Sequence, residues 1–239
     1  MKDIKELVKD NEKYKKAIIQ QRFKSKKNTV AYVTLEGKPR ILKWFVPGFK
    51  RQMETEYNLL KKGSSKLHMP FPYEVDEDSN VLIMSYIIGE NLCDVINDEK
   101  TTASEKQRLM MLLGEWFVRF HTYFKTVNEF HIRGDSVLRN FILADHVWGV
   151  DFEESRRGKP VEDIAGMCSS ILSTDPMFTS EKFQLCKEFI ESYTNSVDWS
   201  LGNINDEIAY ALLDKIQWRL NEEETLRKYA LNIRERGLR

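Results

Sequence analysis

Three polar side chains at short spacing in the second half of the chain could carry out chemistry together. Asp135 precedes Asn140 by five positions, and Asp151 follows Asn140 by eleven. A positioned carboxylate can accept the proton of a hydroxyl group, and oxygen atoms are the ligands that magnesium prefers. Transfer of a phosphoryl group from a nucleoside triphosphate needs both functions. This interpretation makes Asp135 the base or orienting group, and Asn140 and Asp151 the magnesium ligands.

Each of these residues also has an ordinary structural interpretation. An aspartate in a loop is often a turn or capping residue, and Asn140 could form an Asx turn. Short apolar strands are predicted at residues 140–143 and 147–150, on either side of a polar turn. Such a hairpin can bring Asp135, Asn140 and Asp151 into one cleft, and the combined order favours the chemical interpretation.

A buried ion pair is predicted nearer the N-terminus. Lys43 lies in an apolar strand pattern, where an interior lysine needs an oppositely charged partner. Glu54 and Glu56 lie on the following predicted helix, about 200° apart around its axis, so only one of them can face the sheet. The leucines that follow Glu56 on the inward side favour Glu56 as the partner of Lys43.

Hydrophobic and turn patterns predict the α+β class, with a β-rich lobe at residues 1–88 and a helical lobe at residues 89–239 that carries the catalytic and metal-binding loops. Ser104 is a plausible N-cap of the longest predicted helix. Strands are predicted at residues 29–35, 40–45, 73–75 and 81–86 of the first lobe, and helices at residues 2–19, 50–62, 105–124, 164–172, 181–193 and 206–232.

The composition is that of a globular domain of 239 residues with 41% hydrophobic side chains. Its longest apolar stretch, at residues 81–88, is much shorter than a membrane span. No apolar segment follows the first six residues, so we expect no secretory signal. Cys93, Cys168 and Cys186 lack CxxC spacing, which argues against a zinc site or a disulfide framework and favours the reducing cytoplasm.

The overall neutral charge is divided unequally along the chain. Residues 1–62 carry a net charge of +10, and residues 63–239 carry −10. A basic first part suits a polyphosphate or a nucleic acid as partner, although a solvated lysine-rich surface has the same composition. An RNA partner is therefore one possibility.

Taken together, residues 23–193 resemble the protein-kinase-like superfamily. The Asp135 loop and Asp151 are similar to its catalytic loop and metal-binding aspartate, and Lys43 with Glu56 resembles its lysine–glutamate pair. The resemblance implies a small antiparallel β lobe with one helix, a mainly helical second lobe, and ATP and Mg²⁺ as cofactors. Lys43 would contact the α- and β-phosphates.

Residues 81–92 look like a kinase hinge, with Met84 at the gatekeeper position. The resemblance implies that the backbone from Ser85 to Ile87 binds adenine. The chain looks most similar to a small atypical branch: the kinase of the KEOPS tRNA-modification complex, the RIO kinases and the aminoglycoside phosphotransferases. Only eleven residues separate Asp151 from Asp163, too few for a long activation loop, and Asp163 would there brace the catalytic loop.

Three departures from the superfamily pattern concern the nucleotide site. Residues 23–29 replace the glycine-rich loop and contain no glycine. Glu153 stands where the glycine of an Asp-Phe-Gly motif is usual. Two interpretations of Glu153 stay open: a further magnesium ligand or a surface acid. Arg133 stands where a histidine is usual. Charge near the phosphates could come from three lysines of the loop: Lys24, Lys26 and Lys27.

These features support two functional hypotheses. The first is an ATP- and magnesium-dependent phosphotransferase: an atypical serine/threonine protein kinase or an ATPase similar to the KEOPS kinase, or alternatively an aminoglycoside-type enzyme whose acceptor is a small hydroxylated molecule. The alternative is disfavoured because its substrate-binding helices would need a longer second lobe. The second hypothesis is a nucleotide-binding pseudokinase scaffold with an RNA or protein partner. The missing glycines favour it, and the intact set of Lys43, Asp135, Asn140 and Asp151 disfavours it.

Overall fold

The computed structural model of the protein describes residues 8–9, 11–23, 25 and 27–239. The chain divides into two compact units. Met1–Ile88 and Asp151–Glu154 form the first unit, and Gly89–Val150 with Ser155–Arg239 form the second. The segment that contains Asp151 thus lies in the first unit, and the second unit begins at Gly89.

In the described part of the first unit, five antiparallel strands form one sheet in the order β1-β2-β3-β5-β4. One helix, α1 (Lys50–Gly63), lies between β3 and β4 in the sequence. The strands are β1 (Ile18–Phe23), β2 (Thr29–Leu35), β3 (Lys38–Trp44), β4 (Pro72–Asp76) and β5 (Val81–Ser85).

Alternation along β2 and β3 gives this sheet two different faces. Ala31, Leu42 and Trp44 are buried in an apolar core, where Tyr14 packs edge-on against Trp44 with ring centroids 5.9 Å apart. Lys43 points to the opposite face because successive strand residues alternate. The Lys43 side chain therefore lies outside the apolar core of the unit.

The N-terminal helix prediction is wrong beyond residue 9. Residues 12–16 form turns, and β1 begins at Ile18; residues 1–7 and 10 lie outside the described part of the chain. Strand β1 was not predicted because it lies at the sheet edge, with most of its side chains exposed or half-exposed. An exposed edge strand lacks the alternation of apolar and polar residues on which strand prediction depends.

The described part of the second unit is mainly helical. Two small sheets accompany the helices, β6-β8-β9 and β10-β7. The helices are α2 (Leu92–Asn97), α3 (Ala103–Phe124), α4 (Pro160–Leu172), α5 (Ser180–Thr194), α6 (Ile204–Asp214) and α7 (Glu223–Arg236). The strands are β6 (Glu90–Asn91), β7 (His131–Ile132), β8 (Phe141–Leu143), β9 (Val147–Gly149) and β10 (Arg156–Arg157).

Helix α3 is the central helix of this unit. Its aromatic side chains Trp116, Phe117 and Phe120 are buried, and Trp116 packs edge-on against Phe141 of β8 with centroids 5.0 Å apart. The N-cap is Thr102, whose hydroxyl accepts a hydrogen bond from the backbone N–H of Glu105 at 3.2 Å; the prediction of Ser104 as the cap is wrong.

The helix predicted at residues 206–232 is two helices, α6 and α7. Short 3-10 turns at Lys215–Trp218 and Leu220–Glu222 separate them. Ile216 is the only buried side chain in these two turns, so no continuous apolar face supports an uninterrupted helix there. Among the described residues, no helix combines the length and the apolar character that a membrane span needs.

Candidate active site

Lys43 of β3 is the centre of an ionic cluster in the first unit. Its ammonium group lies 2.7 Å from Glu56 Oε2, 2.5 Å from Asp151 Oδ1 and 2.7 Å from Glu153 Oε2. Burial lowers the pKa of Lys43, but the charges of the three carboxylates outweigh it and hold the pKa above its ordinary value. Lys43 is therefore a fixed positive charge at neutral pH.

The structure places Glu56, not Glu54, against Lys43. Glu56 is buried on α1, whereas Glu54 is exposed. The second carboxylate oxygen of Glu56 accepts a hydrogen bond from the backbone N–H of Phe152 at 3.1 Å. Burial raises the pKa of Glu56 more than the neighbouring Lys43 charge lowers it. Glu56 therefore links the strand lysine to the segment that contains Asp151.

Asp151 adopts a backbone conformation that is unusual for a residue with a side chain. Its φ angle is +63°, in the left-handed region. A non-glycine residue in a sparsely populated region costs on the order of 1–3 kcal/mol, and such residues cluster at functional sites. The hydrogen bond from Phe152 to Glu56 and the ion pair of Asp151 with Lys43 fix the chain on both sides of this strained position.

The acidic groups around Lys43 have the donor chemistry of a magnesium site. One carboxylate oxygen from each of Glu56, Asp151 and Glu153 lies within 4.8 Å of the others. Magnesium prefers hard oxygen ligands and uses one or two carboxylates together with phosphate oxygens. Asp151 has the donor chemistry that its predicted metal-binding role needs. Glu153, whose side chain is 9% exposed, is one of these oxygen donors and not a surface acid.

The loop before β2, which replaces the glycine-rich loop, is tied to residues 153 and 154. Asn28 is buried, donates from its amide nitrogen to Glu153, and accepts from the backbone N–H of Val46 at 3.3 Å. Lys27 pairs with Glu154 at 2.7 Å. Lys24 and Lys26 lie outside the described residues. Sequence reasoning missed Asn28, because a single polar residue before a strand does not reveal a partner 125 positions away.

The three predicted hinge residues lie at the end of β5 and just beyond it. Met84 is buried, while Ser85 and Ile87 are half-buried. Ser85 closes the strand edge, because its backbone N–H donates to Phe71 O at 2.9 Å and its hydroxyl accepts from the Phe71 N–H at 2.8 Å. Tyr86 stacks on Tyr32 of β2 with ring centroids 4.0 Å apart. Because the Ser85 N–H is already bonded, Ile87 is the better candidate for a backbone contact with a base.

In the second unit, Asp135 and Asn140 are neighbours. Asn140 ends a short 3-10 turn, and its amide nitrogen donates to both the backbone oxygen and the Oδ2 of Asp135, each at 3.2 Å. Asp135 is exposed. The amide therefore orients an accessible carboxylate. The role of Asn140 as a magnesium ligand stays a prediction.

Asp163 of α4 braces the loop that carries Asp135. It is 1% exposed. Burial raises its pKa, but hydrogen bonds and the charge of His121 outweigh burial and lower it. Its side chain accepts four hydrogen bonds: from His121 Nε2 at 3.0 Å, the Arg133 N–H at 2.8 Å, the Gly134 N–H at 3.1 Å and the Ser136 hydroxyl at 2.8 Å.

Arg133 takes the place of the usual histidine with a different set of contacts. Its guanidinium lies over the rings of Phe141 and Trp116, 4.6 and 5.5 Å from their centroids. It also donates to the backbone oxygen of Val150 at 2.8 Å. Such cation–π contacts stabilise a buried arginine. The side chain thus joins the catalytic loop to the residue that immediately precedes Asp151 in the chain.

Solved structures resemble this protein although its sequence gives no match to any family model or curated protein. A thermostable variant of the aminoglycoside phosphotransferase APH(4)-Ia, in complex with ADP and hygromycin B, matches at a TM-score of 0.64 with 10% identity, over 99% of this chain and 98% of that chain. The gentamicin complex of APH(2")-IIa matches at 0.61 with 11% identity, over 92% and 93% of the two chains. The ethanolamine kinase of Plasmodium vivax matches at 0.57 with 11% identity, over 87% and 76%. The protein has a protein-kinase-like fold.

This result confirms the predicted fold class, an antiparallel β lobe followed by a helical lobe. The similar structures include aminoglycoside phosphotransferases, the branch that chain length disfavoured in the interpretation of the sequence.

Proposed function

We propose that this protein transfers the γ-phosphoryl group of ATP to a hydroxyl group of a small molecule. The observation that carries the proposal is the buried Lys43, held by Glu56 and Asp151 in a protein-kinase-like fold. A buried lysine with fixed charge next to oxygen ligands suits a nucleotide triphosphate and its magnesium ion. An ion pair with a purely structural role would need neither a buried lysine of fixed charge nor the additional oxygen ligands next to it.

Each residue of the first unit has a separate role in this proposal. Lys43 binds the phosphates, and Glu56 keeps its ammonium group in place. Asp151 would hold magnesium, and the sequence assigns Asn140 of the second unit to the same ion. When bound, the ion neutralises negative charge on the phosphates. Met84 and the backbone near Ile87 bind the base.

Asp135 acts on the acceptor. Its carboxylate receives the proton of the attacking hydroxyl or orients that hydroxyl, and the Asn140 amide keeps the carboxylate in one orientation. Asp163 positions the loop through the backbone N–H groups of residues 133 and 134. Since Asp163 is buried, it acts through the loop and not on the substrate.

A small molecule is the acceptor that the comparisons favour. The similar structures contain hygromycin B or gentamicin, or belong to an ethanolamine kinase. The three structures named above give no support to an RNA or protein-complex partner. A serine/threonine protein kinase or an ATPase similar to the KEOPS kinase is therefore the second interpretation of the same residues.

Release of ADP, measured with magnesium and separate acceptor sets, tests the proposal. The sets are small amino alcohols, aminoglycosides, serine- and threonine-rich proteins, and no acceptor. We expect ADP release to depend on a small hydroxylated molecule and to fall by about 10²–10⁴-fold in Asp135→Asn. Release that needs only a protein, or no acceptor, would support the kinase or ATPase interpretation. ATP binding without turnover in any set would support the scaffold.

A further inference from the structure

Glu153 lies where the proposed function expects a phosphate. Its carboxylate is 2.7 Å from the Lys43 ammonium and accepts a hydrogen bond from the Asn28 amide. The side chain is only 9% exposed. An anion held between the phosphate-binding lysine and the loop before β2 has the contacts that a nucleotide phosphate would make.

The partners of Glu153 are themselves fixed. Asn28 is 2% exposed, and its amide oxygen is bonded to the backbone of Val46. Lys43 is 4% exposed and its position is set by Glu56. Neither partner can follow Glu153 into solvent, so a phosphate that binds Lys43 must share the ammonium group with the carboxylate or displace it.

The charge balance favours displacement. One ammonium group already faces three carboxylates, from Glu56, Asp151 and Glu153. Glu56 is the most deeply buried of the three and has a second bond to the Phe152 N–H, and Asp151 is the proposed metal ligand. Glu153 is neither the fully buried carboxylate nor the proposed metal ligand, so its departure leaves both of those in place.

We propose that Glu153 is an internal competitor of the nucleotide. In the nucleotide-free protein it occupies Lys43 and Asn28, and it leaves them when ATP binds with magnesium. This inference rests on the proposed role of Lys43 as the phosphate-binding group. Glu153, which replaces the glycine, thereby has a definite function. ATP without magnesium binds weakly, because its phosphates must displace the Glu153 carboxylate while no cation offsets the negative charge that remains at the site.

Isothermal titration calorimetry with ATP, in EDTA and separately in magnesium, tests this inference on wild type, Glu153→Gln and Glu154→Gln. Glu153→Gln keeps the shape of the side chain and removes its charge. A close like charge shifts the pKa of a neighbouring group by about one unit or more, which corresponds to a ~10-fold change in an equilibrium constant. We expect Glu153→Gln to bind magnesium-free ATP ~10-fold tighter and to gain less affinity from magnesium than wild type does.

Glu154→Gln is the matched control, since it removes the same charge at the next residue, where the pair with Lys27 is half-exposed. We expect its affinity to stay within about twofold of wild type. The inference is overturned if Glu153→Gln binds magnesium-free ATP no tighter than wild type does. It is also overturned if Glu153→Gln and Glu154→Gln gain the same affinity for magnesium-free ATP. Glu153→Ala provides a second test if Glu153→Gln does not fold, with the same expected direction. Failure of wild type to bind ATP even with magnesium overturns the proposed function and the inference with it.

Discussion

The substitution Asp163→Asn removes a hydrogen-bond acceptor from beneath the loop that carries Asp135. Each oxygen of the buried carboxylate accepts two hydrogen bonds: Oδ2 from His121 and the Arg133 N–H, and Oδ1 from Gly134 and Ser136. An asparagine side chain keeps one oxygen and places an NH2 group where the other was. In either orientation of the amide, one backbone N–H, that of Arg133 or that of Gly134, then faces a donor, because the Ser136 hydroxyl and His121 Nε2 can each accept instead.

One charge-assisted bond from a backbone N–H is thereby lost. Hydrogen bonds to a charged group contribute about 1.5–3 kcal/mol each, so the free energy of unfolding should fall by at least that amount. The pKa of Asp163 is lowered in the folded protein, so its stabilisation is present above the unfolded-state pKa of about 4 and is lost as the pH falls through the folded value. The difference between wild type and Asp163→Asn should therefore be full at neutral pH and shrink below about pH 4.

Urea unfolding of wild type, Asp163→Asn and Asp94→Asn measures this difference. Asp94 is the control, because its side chain is 69% exposed and lies 3.5 Å from Arg139. We expect its substitution to change the free energy of unfolding by less than about 1 kcal/mol. A change of less than about 1 kcal/mol for Asp163→Asn at neutral pH would refute the view that this carboxylate holds the loop.

Three further predictions concern single contacts. Asp151→Asn should abolish turnover while the far-UV circular dichroism and the thermal midpoint stay close to those of wild type; full turnover would remove Asp151 from the site. Thr102→Ala should lower the free energy of unfolding by about 1 kcal/mol in urea, because α3 loses its N-cap. Tyr14→Phe should also cost about 1 kcal/mol in urea unfolding, because the tyrosine hydroxyl donates to Asp76 at 2.7 Å.

The sequence alone located the contacts that depend on local geometry. Glu56 could be chosen over Glu54 because the angular separation of helix residues is fixed by the helix itself. Asp135 and Asn140 were expected close together, and the short loop between them brings them into hydrogen-bond contact. Such predictions succeed because the short segment between the two residues can adopt few conformations.

Contacts that depend on the packing of distant elements were not predictable. Asn28 and Glu153 meet across 125 positions, and His121 meets Asp163 across 42. No periodicity or spacing relates such residues, and only the folded arrangement of strands and helices brings them together. The edge strand β1 was missed for a related reason, since its polar residues are placed by hydrogen bonding to β2 and not by burial.

The departures at Arg133 and Glu153 bear on whether the protein is an enzyme or a scaffold. Each unusual residue is matched by partners of its own: Arg133 by two aromatic rings and a carbonyl oxygen, and Glu153 by Lys43 and Asn28. A buried lysine among three carboxylates carries a large desolvation cost, so its presence supports the proposed nucleotide site. Both the enzyme and the nucleotide-binding scaffold need such a site. The accessible Asp135 carboxylate, oriented by the Asn140 amide, is the feature that only the enzyme needs.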